Sequence, residues 1–393
     1  MIICKTFRYR IYPNSEQETL LSIQFGHARF VWNWGLSLRQ STYKETGKGI
    51  GFYDLKRCMT ELKRQQETEW LKEADSQVLQ GKIEDLDRAY KNFFQKRAKY
   101  PRFKSKRGNQ SIRYPQRFKF SEKAIYLPKV GWVKAVFHRL LEGKAKNVTV
   151  SKTKTGKYFA SIQCETEIAE PVIHNGEIGI DLGIKSFLVT SEGEKIDNPE
   201  HLQKAEKRLI RLQRTLSMRK KGSSGREKTR ILLARQHEKV TNQRADFLHK
   251  LSRSLVDRYG LIGMEDLNVR GMVKNRKLAK AISSAGWGAF RLMLAYKGEW
   301  YGSFVHQINR FYSSSKTCSV CGHALSELGL SVREWNCPAC GTSLDRDTNA
   351  AINILNETRA GVARSHAGGK NVRPVARQAV LVEAGSPSAF SGG

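Results

Sequence analysis

An α+β architecture in several domains is what this 393-residue sequence predicts. Three observations carry that reading. Apolar residues recur at helical spacing over about 15–97, then at a period of two over about 111–164. Short apolar strands alternate with helical stretches from 177 onward. A segment holding two paired cysteines interrupts that alternation near its end.

The elements follow in order. A strand over about 3–11 ends at Tyr12 and Pro13. Ser15 precedes an acidic first turn (Glu16, Glu18) and is the expected N-cap of a helix. Leu20, Leu21, Phe25, Ala28, Phe30 and Val31 supply that helix's apolar face. A second helix, about 75–98, leads into the basic, aromatic stretch 99–107. Strands are expected at 124–127 and 130–133, and Lys154-Thr155-Gly156 reads as the turn of a hairpin between 148–150 and 158–162. The first strand is expected to join these in a small β-barrel (1–14 and 108–172), which makes 15–107 a helical insertion and 1–172 one N-terminal region. After a linker at 171–176, strands at 177–183 and 186–190 precede a long basic helical hairpin over 199–258. Its turn lies at 220–225, and Leu202, Leu209, Leu212 and Leu216 mark the apolar stripe of its first arm. A strand at 260–264, a helix around 287–300, a strand at 303–308 and a helix from near Asp347 complete an α/β domain over 173–356. The cysteine module spans 313–343 within it. The Gly-, Ala-, Ser- and Pro-rich remainder, 357–393, has no periodicity and is expected to be disordered.

Charge narrows the function. Lys and Arg number 69 against 37 Asp and Glu, a net charge of +32. Self-repulsion of that size calls for a polyanionic partner, and nucleic acid fits, with binding that weakens as salt rises. No apolar window is long enough to cross a membrane, and the N-terminus lacks the apolar core of a signal peptide. A cytoplasmic, nucleoid-associated protein is expected. In the hairpin, Lys207, Arg208, Arg211 and Arg214, with Arg219, Lys220 and Lys221 at its turn, are candidate phosphate contacts; the alternative is a solvated helix face. Tyr100, Phe103, Tyr114 and Phe118, set among basic residues, are read equally as base-stacking or as ordinary packing residues.

Two motifs carry chemistry. Cys318-Ser-Val-Cys321 and Cys337-Pro-Ala-Cys340 form C-x₂-C-x₁₅-C-x₂-C, each pair followed by glycine. Two such knuckles aim four thiolates at one centre, the donor set of a closed structural zinc site. Cys4, Cys58 and Cys164 lie scattered, so the cysteine usage suits a reducing compartment and not a disulfide framework. Asp181 and Glu265 each sit at the end of an apolar strand, and Asp345 and Asp347 open a helix. Turn aspartates and helix caps explain such residues singly. Three such carboxylates in one α/β region instead call for a shared compensator, because desolvation penalises the charged form. A cluster of divalent cations is the simplest one: magnesium prefers carboxylate oxygen, and two such ions suffice for phosphodiester hydrolysis.

At these residues the sequence resembles the TnpB family, relatives of the type V CRISPR effectors. The matching segments are Gly179-Ile-Asp-Leu-Gly-Ile184, Glu265-Asp-Leu-Asn268 and Asp345-Arg-Asp-Thr-Asn-Ala-Ala351, with the four-cysteine module just before the last. Gly286-Trp287-Gly288 and Tyr296-Lys-Gly-Glu-Trp300 match as well, and Trp32-Asn33 more loosely. The resemblance implies a RuvC/RNase H-like nuclease domain with Asp181, Glu265 and Asp347 as catalytic, magnesium-holding acids and Cys318, Cys321, Cys337 and Cys340 on structural zinc. Asp347 is chosen over Asp345 by its spacing to Asn349-Ala-Ala; Asp345 and Asp266 are neighbours. It further implies an insertion-sequence product that uses a guide RNA from the transposon end to cut double-stranded DNA, with no protein partner required. Two rivals remain: a DNA-joining transposase and a nuclease-silent, RNA-guided repressor. A single-strand transposase needs H-x-H, which none of the nine histidines forms. A repressor of this kind loses one or more of the acids, and all three are present here.

Overall fold

Strand β1 (Ile2–Tyr12) buries Ile3, Phe7, Tyr9 and Ile11 and exposes Arg8 and Tyr12, the alternation of a strand with one face on a core. The computed structural model to which it belongs describes residues 1–172, 174–329 and 331–367. Two compact units divide the chain, Ile2–Glu167 and the residues from Ile168 onward together with Met1.

In the first unit, α1 (Ser15–Thr46) is capped by Asn14 and not by the expected Ser15. The Asn14 side chain accepts from the Gln17 amide at 2.8 Å, and the Gln17 side chain accepts from the Asn14 amide at 3.1 Å. That reciprocal box satisfies two otherwise orphaned donors, which fixes the start one residue earlier. Next come α2 (Phe52–Leu62), a 3₁₀ turn (Gln66–Glu73) and α3 (Ser76–Phe94), which is capped by Asp75. They pack on the second half of α1 around Leu36, Leu55, Leu79 and Ile83. The remaining strands are β2 (Gln110–Tyr114), β3 (Lys119–Phe120), β4 (Ala124–Leu127), β5 (Gly131–Val136), β6 (Lys144–Lys152) and β7 (Tyr158–Glu167). With β1 they form one antiparallel sheet in the order β2-β6-β7-β1-β5-β4-β3. The sheet is curled: Ile112 and Tyr114 from one end share a core with Ile125 and Leu127 from near the other. Its end strands, β2 and β3, are not paired with each other among the described residues. The helices therefore interrupt a single sheet between β1 and β2.

The second unit comprises β8 (Glu177–Leu182), β9 (Ser186–Thr190), β10 (Lys195–Asp197), α4 (His201–Met218), α5 (Ser224–Arg258) and β11 (Leu261–Glu265). It continues with α6 (Val269–Met272), α7 (Ala279–Ala285), α8 (Trp287–Tyr301), β12 (Phe304–Ile308), β13 (Glu334–Asn336), β14 (Ser343–Asp345) and α9 (Arg346–Ala367). Five strands pair in the order β10-β9-β8-β11-β12, antiparallel as far as β8 and parallel from β8 to β12. Ile178, Ile180, Leu182, Ile262 and Met264 face a core shared with Leu255 and Val256 of α5 and Phe290 and Leu294 of α8. Trp287, from a motif singled out in the sequence, is buried in this core, and Tyr296 is buried on the same helix. Helix α9 runs past residue 356, where the tail was expected to begin, to Ala367; the rest of the expected disordered tail, 368–393, lies outside the described residues. No helix among the described residues is long and apolar enough to cross a membrane.

Candidate active site and cysteine module

Period-two alternation places Gly179 and Asp181 of β8, and Gly263 and Glu265 of β11, on the sheet face opposite the Ile178/Ile262 core. The two strands pair in parallel with Gly263 opposite Gly179 and Met264 opposite Ile180. Asp181 and Glu265 come next in each strand, so they stand side by side on neighbouring strands, about 4.8 Å apart by sheet spacing.

Helix α9 covers this face because the glycines admit it. A Cβ on Gly179 would lie 2.1 Å from the Ala351 carbonyl oxygen, and one on Gly263 would lie 2.2 Å from Thr358 Oγ1. Ala351, Ile354 and Leu355, buried at helical spacing, form the stripe that rests on the strands. The first turn of α9 carries Asp347 to the end of the sheet where Asp181 and Glu265 lie.

The electrostatics follow from this crowding. All three acids are partly buried. Burial, then the Glu265 and Asp347 carboxylates, push the Asp181 carboxyl up from its ordinary 3.8 to about 7, against a smaller opposing pull from Arg346. Two carboxylates have local partners. Ser314 Oγ donates to Glu265 Oε1 at 2.6 Å, and Arg333 Nη1 donates to Asp347 Oδ1 at 3.3 Å. Their neighbours in sequence are engaged differently. Asp345 caps α9, accepting from the Thr348 amide at 2.9 Å and from Lys195 Nζ at 2.6 Å; burial pushes its carboxyl up, but Lys195 and then Thr348 outweigh it and hold it below the usual range. Asp266 is paired with Arg291 and Arg310.

The four cysteines gather locally. Their Sγ atoms all lie within 4.8 Å of one another, with Cys318 to Cys340 at 3.8 Å and Cys321 to Cys337 at 3.5 Å. They are the metal-capable group of that compactness among the described residues. Each knuckle closes the same way: the Gly322 amide donates to Cys318 O and the Gly341 amide to Cys337 O, both at 2.9 Å. Gly322 (φ +77°) and Gly341 (φ +71°) adopt the left-handed conformation this turn demands. His323 contributes its backbone carbonyl to the Cys318 amide and is not in the cluster.

On the α4–α5 hairpin, Arg208, Arg211, Arg214, Lys220 and Lys221 are exposed, and none has an ion-pair partner among the described residues. Lys207 is exposed likewise, whereas the Arg219 guanidinium donates to the Gly225 carbonyl and so shapes the turn. Of the aromatics set among basic residues, Tyr114 is fully buried with its hydroxyl on Gln24, which excludes stacking on bases. Phe118 packs on the curled sheet's core, Tyr100 stands edge-on to Tyr90 and Phe93, and Phe103 is exposed.

Sequence reasoning missed Ser314, Arg333 and the buried Asn353, and gave the buried Asn349 no structural role. The asparagines, four apart on a helix otherwise lined with alanine and isoleucine, were the legible signal: buried amides need partners.

Known proteins resemble the chain along most of its length. Residues 161–276 match an OrfB family described as a probable transposase, 287–354 a Cas12f1-like TNB domain, and 1–48 a helix-turn-helix domain. Over 1–48 the chain forms one strand and one helix, β1 and α1. The chain is 41% identical over 379 residues to a Streptomyces pristinaespiralis protein named as an inferred RNA-guided DNA endonuclease, covering 94% of this chain and 92% of that one. It is 35% identical over 369 residues to a similarly named protein, InsQ, of Escherichia coli K12, covering 89% and 91%. A solved Cas12f1–sgRNA–target DNA complex contains a chain with the same fold, at TM-score 0.55 and 15% identity over 90% of this chain and 99% of that one. With such identity along nearly its whole length, the chain belongs to the TnpB family of insertion-sequence proteins.

Proposed function

We propose that this protein is an insertion-sequence-encoded, RNA-guided endonuclease that hydrolyses phosphodiester bonds of target DNA at Asp181, Glu265 and Asp347. One observation carries the reading: three carboxylates from distant parts of the chain crowd at one end of a sheet, where burial first and the Glu265 and Asp347 carboxylates second push the Asp181 carboxyl to about 7. A partly buried negative cluster left undercompensated, in a chain of net charge +32, fits a divalent cation held by oxygen alone. The strand order, three antiparallel strands followed by two parallel ones with a helix across them, supports a RuvC/RNase H-like reading of 173–356. The names borne by the relatives supply RNA guidance and DNA as substrate.

Asp181 and Glu265 would bind the divalent ions from the strand ends, and Asp347 from the first turn of α9. When bound, magnesium activates a water and stabilises the leaving oxygen of the phosphodiester. Arg346 and Arg333, beside the acids, offer positive charge to a phosphate backbone. Cys318, Cys321, Cys337 and Cys340 would hold zinc: four sulfur donors close a tetrahedral shell and leave no open position, so the role is structural. Arg208, Arg211, Arg214, Lys220 and Lys221 would contact phosphates, and 1–172 would serve as the nucleic-acid-binding region. The guide would come from the transposon end and the protein would act in the cytoplasm, at the nucleoid.

The test is to copurify the protein with RNA from its native locus and challenge the complex with guide-matched plasmid and magnesium. Cleavage by the wild type, lost with Asp181→Ala and with chelator, is expected. Tight target binding without cleavage by the wild type would replace this reading with a repressor.

A further inference from the structure

Glu265 is held from outside the sheet. Ser314, 5% exposed, lies between β12 and the first cysteine, and its hydroxyl donates to Glu265 Oε1 at 2.6 Å. An ionised carboxylate only accepts, so this bond engages one oxygen and leaves Oε2 without a hydrogen-bond partner among the described residues.

The loop that presents Ser314 is itself fixed by α9 and the cysteine module. Asn353 Nδ2 donates to Ser314 O at 2.8 Å and to Thr317 O at 2.6 Å. Asn349 Nδ2 donates to Thr317 O at 2.8 Å, and its Oδ1 accepts from the Ser319 amide, inside the first knuckle, at 2.8 Å. Both asparagines are buried, 4% and 1% exposed. The hydrogen bonds therefore run without a break from the Cys318–Cys321 knuckle, through the helix that carries Asp347, to the carboxylate of Glu265.

We propose that Ser314 is a positioning residue that sets the orientation of the Glu265 carboxylate for divalent metal, and that the cysteine module fixes where Ser314 stands. The inference rests on the reading of the three acids as a divalent-cation site. Buried hydrogen bonds of this kind to metal-binding carboxylates are worth about 10- to 100-fold in metal affinity. The module thus acts on the acid site at a distance, through a hydroxyl, while contributing no ligand to it.

The experiment uses the full-length protein copurified with its guide RNA and titrates manganese, followed by the paramagnetic resonance of the free ion, with no cleavage required. Ser314→Ala is expected to weaken manganese binding about 10- to 100-fold. Its melting temperature and its affinity for guide-matched DNA should stay at wild-type values, and Ser314→Thr, which keeps the hydroxyl, should recover most of the loss. Unchanged manganese affinity in Ser314→Ala would overturn the inference. So would a loss that comes with a lower melting temperature and is not recovered by threonine, which would make Ser314 a packing residue. Wild type and Asp181→Ala, titrated alongside, judge the underlying reading separately: equal manganese binding by those two would remove the acid site itself.

Discussion

The cysteine module and the acid cluster are built in opposite ways. Four thiols are brought together by two short knuckles and a hairpin, all between Cys318 and Asp345. Three carboxylates from Asp181, Glu265 and Asp347 meet only after β8 and β11 pair in register and α9 settles on two facing glycines. In the first, the ion would hold the fold. In the second, the fold holds a charge that the ion would relieve. Metal removal should therefore unfold one and leave the other standing.

The largest expected effects test this division directly. Asp181→Ala should lower cleavage by about 10³-fold, the loss that follows when several kcal/mol of transition-state stabilisation is removed, with the melting temperature kept at or above the wild-type value. Cys337→Ala should do the reverse in structural terms: lost metal content by elemental analysis, and rapid proteolysis within 313–343. If the Cys337→Ala protein melts and digests as the wild type does, the module is not held by metal and the contrast fails.

A middle-sized effect concerns the helix between the two sites. Gly179→Ala sets a methyl against the backbone carbonyl of Ala351, which cannot rotate away, and should cost about 3 kcal/mol in chemical denaturation. At Gly263 the atom nearest the added methyl is the Thr358 hydroxyl, and the nearest backbone atom, the Ile354 carbonyl oxygen, lies 3.2 Å from that methyl. Gly263→Ala should cost about 1 kcal/mol, because a side chain yields more readily than backbone. Equal costs would mean that α9 shifts as a rigid body and does not rest on Gly179.

These differences in construction explain what the sequence disclosed. The cysteine module was legible because its ligands lie within 23 residues and its glycines follow each knuckle. The acids were legible as residues, through polar groups placed in apolar strands, but their shared face was not, since it depends on strand register. Helix α1 was visible from its apolar spacing, yet its cap was misplaced by one residue because Asn14 and Gln17 act as a pair. Tyr114 shows the limit of composition: a tyrosine among arginines read as readily for stacking as for packing, and its burial beneath α1 was set by partners such as Gln24, 90 residues away in sequence. Ser314 had no local signature. A serine becomes informative only when a distant carboxylate is found beside it.

The smallest effect is the most specific to the acid cluster. The ordinary carboxyl of aspartate ionises near 3.8, while that of Asp181 is pushed up to about 7 in the folded chain. Between those values the folded state binds more protons than the unfolded state, so this group's contribution to stability falls as pH rises through that window. Below about pH 4 both states are protonated and the penalty is absent; above about pH 7 it is present in full. In magnesium-free buffer at pH 8, Asp181→Asn should therefore be more stable than the wild type. The gain should be on the order of 2 kcal/mol, less than the full shift would imply because water screens a partly exposed group. At pH 4.5 most of that difference should be gone. Saturating magnesium at pH 8 should raise the wild type toward the variant and leave the variant unmoved, since the ion replaces the proton as the charge that Asp181 lacks. A variant no more stable than the wild type at pH 8 would mean that Arg346 and Arg333 already neutralise the cluster, and the contrast with the cysteine module would then rest on cleavage alone.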